Sequence, residues 1–87
     1  MAKDAPVRRE PIVVPECGIL GVPLRLSLWL VPRGARVREG ERVAEILAGG
    51  ATIDLEAPVA GRLAALLVDE DEAVGAGTVI AEIEVAP

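Results

Sequence analysis

The chain has no histidine, phenylalanine or tyrosine, and it has one cysteine, Cys17, and one tryptophan, Trp29. Without an imidazole, Cys17 has no base for a Cys–His thiol mechanism, and it reads as an inert, partly buried thiol. A lone cysteine also excludes an internal disulfide and a cysteine metal cluster. Lysine is equally scarce, Lys3 being the sole example. The net charge is −5, and a nucleic-acid surface needs clustered cations and aromatic stacking platforms, so nucleic acid is excluded as a partner. No apolar run reaches the roughly 18 residues of a membrane span. The polar stretch Met1 to Glu10 lacks a signal-peptide core, so a cytoplasmic protein with no membrane partner is expected. No nucleophile–base pair and no metal-ligand set is present, which leaves no catalytic or metal residues to name and argues against an enzyme.

What the sequence does contain is aliphatic. Hydrophobic residues make up 52% of the 87, enough for the core of one domain built from Val, Ile, Leu and Ala. Residues 1–10 have mixed charge and no periodicity, and they read as a flexible tail preceding a domain at 11–87. From Pro11 onward, short apolar runs are split by Gly and Pro, the pattern of many short strands. Strands are expected at Ile12–Val14, Leu24–Val31, Arg42–Ala48, Ala51–Ala57, Arg62–Val68 and Thr78–Val85. The window Arg38–Leu47 could also suit a helix, but its valine alternation and the Gly-Gly that follows favour a strand.

An internal repeat organises these strands. Shifted by 37 residues, LRLSLWLVPRGARVREGERVAEI (24–46) lies without a gap on GRLAALLVDEDEAVGAGTVIAEI (61–83). Leu26 meets Leu63, Val37 meets Val74, Gly40 meets Gly77, and Ala44-Glu45-Ile46 meets Ala81-Glu82-Ile83. Each copy leaves an apolar face open, and burying one against the other gives a pseudo-twofold sandwich. Gly40 and Gly77 each end a turn where a positive φ is expected. Between the copies, Gly49-Gly50 is flanked by two strands and suits a type I′ hairpin.

Three segments, WLVPRGARVREGERVAEI (29–46), APVAGRL (57–63) and LVDEDEAVGAGTVIAEIE (67–84), resemble the lipoyl domains of 2-oxo acid dehydrogenase complexes and the related biotinyl carrier domains. The resemblance runs from Ile12 to about Val85. It implies an all-β fold, a flattened β-barrel or barrel-sandwich hybrid of two four-stranded antiparallel sheets. It also implies a cofactor lysine at the hairpin, within E-T-D-K-A. Counting back from Glu56-Ala57-Pro58, that lysine falls on Gly50, its aspartate on Gly49 and its glutamate on Leu47. The biotinyl A-M-K-M is absent too. Lipoate and biotin attach through an amide to a lysine ε-amine, which glycine lacks, so no cofactor-binding residue and no cofactor are expected.

The remaining charged residues have ordinary readings beside functional ones. Glu45 and Glu82 match in the repeat, but lack any polar cluster and read as solvent-facing strand residues rather than an acid–base pair. Asp69-Glu70-Asp71-Glu72 reads as a solvated turn, with steering of a basic partner as the alternative. Arg33, Arg36, Arg38 and Arg42 have Glu70, Ala73, Gly75 and Val79 as their counterparts in the second copy, which makes one pole basic where its mate is acidic. That asymmetry serves either solubility or docking, to a partner or head-to-tail to another copy. Trp29 reads as a core or half-core residue, and Thr52 and Asp54 as solvent-facing.

The function expected is that of a non-acylatable lipoyl/biotinyl-like domain, a protein-binding or structural module. Its partners would be enzymes of a 2-oxo acid dehydrogenase or biotin-dependent carboxylase system, and edge strands offer a route to a homodimer. The alternatives are a barrel-sandwich element of a transport or adaptor assembly, and a carrier domain whose cofactor attachment has been lost.

Overall fold

The computed structural model describes residues 7–16 and 21–85. These form eight strands: β1 (Arg8–Val13), β2 (Leu24–Trp29), β3 (Arg36–Val37), β4 (Arg42–Ala48), β5 (Ala51–Glu56), β6 (Gly61–Leu66), β7 (Ala73–Val74) and β8 (Val79–Val85). One antiparallel sheet runs β1-β8-β6-β3 and the other β5-β4-β2-β7. The expected all-β fold of two four-stranded sheets is therefore the one observed. The window that could have suited a helix holds β4.

The repeat is realised strand for strand. β2, β3 and β4 correspond to β6, β7 and β8, and the two sheet orders match under this exchange, with β5 taking the place of β1. Even the irregularities are copied. The β2–β4 register shifts between Leu26 and Leu28, and the β6–β8 register between Leu63 and Ala65. A second shift, between Arg42 and Ala44 in β4, recurs as the step from Val79 to Ala81 in β8. Such a bulge turns two consecutive residues to the same side. That is why Val43-Ala44 and Ile80-Ala81 are both buried in strands that otherwise alternate.

The core follows the same symmetry. Leu26 with Leu63, Val43 with Ile80, Ala44 with Ala81 and Ile46 with Ile83 are all 0% exposed. Fully burying one such Leu or Ile contributes about 1.5–3 kcal/mol, so these matched aliphatic pairs hold the two sheets together without an aromatic centre. Trp29 is half-buried against them, as expected.

The strand bounds differ from the sequence reading most at β1. β1 begins at Arg8, inside the stretch expected to be tail. Arg8, Arg9 and Glu10 pair with Val85, Glu84 and Ile83, and Arg9 bridges Glu82 at 3.1 Å and Glu84 at 3.7 Å. An edge strand with charged outward side chains shows no apolar period, which hid it. Lys3 and Cys17 lie outside the described residues. The two-residue strands β3 and β7 have no sequence signature, since two residues cannot display a period.

The gapless repeat also has a break that only the fold reveals. Val14 donates its N–H to Thr78 and accepts from Gly77, as Ala57 donates to Glu41 and accepts from Gly40. Val14 and Ala57 are thus counterparts 43 residues apart, not 37. The first half holds six more residues between this point and its next strand.

Candidate functional site

The connection between the two halves is the β4–β5 hairpin. Its last cross-strand pair is Ala48–Ala51, and Gly49 and Gly50 form the exposed turn. Gly49 has a φ of 62°, but Gly50 is not among the positive-φ glycines. Positive φ at the first central residue alone is the type II′ pattern, not the I′ turn expected. Either turn matches the twist of the flanking strands, so the Gly-Gly dipeptide could not decide between them.

This geometry gives the two glycines unequal roles. Gly49 needs the left-handed backbone, and a Cβ there would sit 3.5 Å from Val22 Cγ1, an ordinary contact. At Gly50 a Cβ would meet nothing within 4 Å. A side chain at Gly50 would therefore point into open space without backbone strain. Beside the turn lies a shallow hollow lined by Pro23, Leu24, Arg25, Leu47, Gly49 and Ala73. Leu47 is exposed there, and on the following strand so are Thr52 and Asp54, while Ile53 packs against the core. Asp54 forms an ion pair with Arg42 at 3.1 Å.

Chemically, the tip Ala48-Gly49-Gly50-Ala51 carries no amine, carboxylate or hydroxyl. Acyl attachment of a carboxylate cofactor requires a nucleophilic amine, and these residues do not fit one.

The other residues singled out from the sequence fall into structural roles. Glu45 and Glu82 lie in different sheets and form no pair. Glu82 is held by Arg9, and Glu45 faces Leu28 and Asp54 across its strand. Trp29 donates its indole N–H to the Val68 carbonyl at 3.0 Å and its backbone N–H to Glu70 Oε2 at 2.9 Å. Glu72 Oε1 accepts the N–H of Asp69 at 3.0 Å, so Glu72 braces its own turn while Glu70 ties that turn to β2. Glu41 and Thr78 do the same in the paired turns before β4 and β8, accepting from Arg38 at 2.9 Å and Gly75 at 3.0 Å. Arg33, Arg36, Arg38 and Arg42 are all exposed.

Sequence reasoning missed Arg62, which lies directly opposite Arg36 across β3 and β6. The pairing depends on a two-residue strand and left no pattern to find. Among the described residues, no group of three or more His, Cys, Asp or Glu could hold a metal ion. No described helix is long and apolar enough to cross a membrane.

Comparison with known proteins places the fold. A biotin/lipoyl family, described as "Biotin-requiring enzyme", matches residues 10–83. The crystal structure of the Kluyveromyces lactis urea carboxylase superposes with a TM-score of 0.75 at 21% identity, over 92% of this chain and 6% of that chain. The present chain thus corresponds to a small part of that protein. No curated protein matches the sequence.

Proposed function

This chain belongs to the biotin/lipoyl domain family, and from that premise we propose that it is a member without a swinging cofactor, acting as a protein-binding or structural module. The observation that carries the reading is Gly50. It stands at the open tip of the hairpin where the family resemblance expects the modified lysine, and the chain offers no lysine between Asp4 and Pro87. Losing the amine removes the carrier chemistry. It leaves the sandwich intact, because the core pairs of the repeat lie away from the tip.

The setting that fits best is a biotin-dependent multienzyme system in the cytoplasm. The fold is shared with part of a urea carboxylase, and a domain of this shape can occupy a carrier's place against such an enzyme without delivering a group. No residue of the chain is assigned a catalytic part.

Intact-mass measurement after co-expression with lipoate and biotin ligases tests the proposal. The expected mass is that of the bare chain. A fraction carrying lipoate or biotin overturns it.

A further inference from the structure

The basic pole of the first half is built at the cost of electrostatic repulsion. Arg36 and Arg62 are directly opposite each other across β3 and β6, an arrangement of like charges that weakens a strand pair. Arg33 and Arg62 line one hollow with Gly34, Leu63 and Ala64, and Arg36 and Arg62 line the next, with Gly61 and Glu84. Arg62 reaches Glu84 at 3.2 Å. Arg33 and Arg36 form no ion pair among the described residues. The counterparts of Arg33, Arg36 and Arg62 in the repeat are Glu70, Ala73 and Arg25, so the pseudo-twofold does not require this cluster.

At the equivalent pole of the other half stands the acidic turn. Glu70 and Glu72 each use one oxygen on a backbone N–H. The carboxylates of Asp69 and Asp71 have no ion pair among the described residues. One body therefore presents an arginine face and an exposed acidic turn at positions related by its own pseudo-symmetry.

We propose that the Arg33–Arg36–Arg62 face of one copy docks the Asp69–Glu72 turn of a second copy. The contact is heterologous, since the two surfaces differ, and each copy keeps one free face for the next. The inference does not rest on the absence of a cofactor, so the two readings fail independently.

Sedimentation velocity of the whole chain tests it. A chain of net charge −5 repels its copies more strongly as salt is removed, so association that grows at low salt requires local complementarity. At about 0.01 M salt, where the screening length is about 30 Å, the sedimentation coefficient should rise with protein concentration. At about 1 M, where that length is about 3 Å, it should not. Arg33→Glu/Arg36→Glu should weaken association at least tenfold, as should Asp69→Arg/Asp71→Asn. Each of these variants keeps the face the other lacks, so an equimolar mixture should form a 1:1 dimer and stop there. Circular dichroism verifies that both fold, and Arg33→Gln/Arg36→Gln replaces the reversal if it does not. A wild-type monomer at every salt concentration overturns the proposal. So does association that the arginine changes leave intact, or a mixture of folded variants that stays monomeric.

Discussion

Asp71 takes the same left-handed backbone conformation as Gly34, its counterpart in the repeat, with φ values of 70° and 92°. The two N–H groups make equivalent bonds, from Gly34 to the Leu63 carbonyl and from Asp71 to the Leu26 carbonyl, both 2.7 Å long. The return bonds match as well, Leu63 donating to Ala35 at 2.9 Å and Leu26 to Glu72 at 3.0 Å. Each half thus clamps its turn onto the central strand of the other half. The turn geometry is a requirement of the fold, and the two halves meet it with different residues.

That difference predicts a stability change. A non-glycine residue in the left-handed region is disfavoured by about 1 kcal/mol, though Asp tolerates it better than most. Glycine loses about 0.4–1 kcal/mol of this advantage through its freer unfolded chain. Asp71→Gly should be neutral to about 0.5 kcal/mol stabilising, whereas Gly34→Val should destabilise by about 1–2 kcal/mol. Urea unfolding followed through Trp29 fluorescence measures both. A clear loss of stability in Asp71→Gly would mean that the carboxylate, not the backbone, holds the turn.

The symmetry of the core makes a second prediction. Leu26 and Leu63 are both fully buried, on the central strands of opposite sheets. Leu26→Ala and Leu63→Ala should each cost about 2–5 kcal/mol, and the two costs should agree within about 1 kcal/mol. For a domain whose total stability is about 5–10 kcal/mol, each shift is easily measured as a lower urea midpoint at unchanged slope. Strongly unequal values would show that the two halves are alike in backbone but not in packing.

Most of this architecture was legible because the repeat carried it. The matches of Leu26 with Leu63 and of Gly40 with Gly77 mark core and turns in the sequence itself, and Gly40 and Gly77 do have positive φ, 84° and 88°. What stayed hidden was local or polar. β1 extends through Arg8, Arg9 and Glu10, whose charges mask a strand held by ladder bonds to β8. The type of the Gly49-Gly50 turn is not legible, because glycine permits either hairpin turn. The offset of Val14 from Ala57 was invisible because the first half has extra residues where the alignment would have to continue. At the candidate site, the position of the glycines was readable, but the open space at Gly50 was not.

Gly61 should be far less tolerant than Gly50. A Cβ on Gly61 would overlap the Glu84 carbonyl oxygen and sit 2.7 Å from Ile83 Cγ2. These atoms belong to β8, the neighbour of β6 in the sheet, so relief requires moving the strand. Gly61→Ala is expected to cost about 1–3 kcal/mol through overpacking, and Gly50→Ala less than about 0.5 kcal/mol. Thermal unfolding of the two variants side by side provides the check. Equal midpoints would show that β6 and β8 separate readily.

The hairpin tip can be tested by restoring what it lacks. Gly50→Lys places an amine where no atom lies within 4 Å of the new Cβ and where the backbone is not left-handed. The variant should fold with stability within about 0.5 kcal/mol of the parent. Folding and attachment are separate requirements, because a ligase must also recognise the hairpin. In the resembling lipoyl domains an aspartate and a glutamate precede the lysine, and Gly49 and Leu47 stand at those positions here. Gly50→Lys alone should therefore remain largely unmodified on co-expression with lipoate ligase. Leu47→Glu/Gly49→Asp/Gly50→Lys should gain the mass of lipoate, although Asp in place of glycine at the positive φ of position 49 strains the turn and lowers stability. If Gly50→Lys is modified completely on its own, the fold suffices for recognition, and the amine was the only element missing. If the triple variant folds but stays bare, Gly50 is not the attachment position and the alignment of this hairpin with the carrier hairpin is wrong.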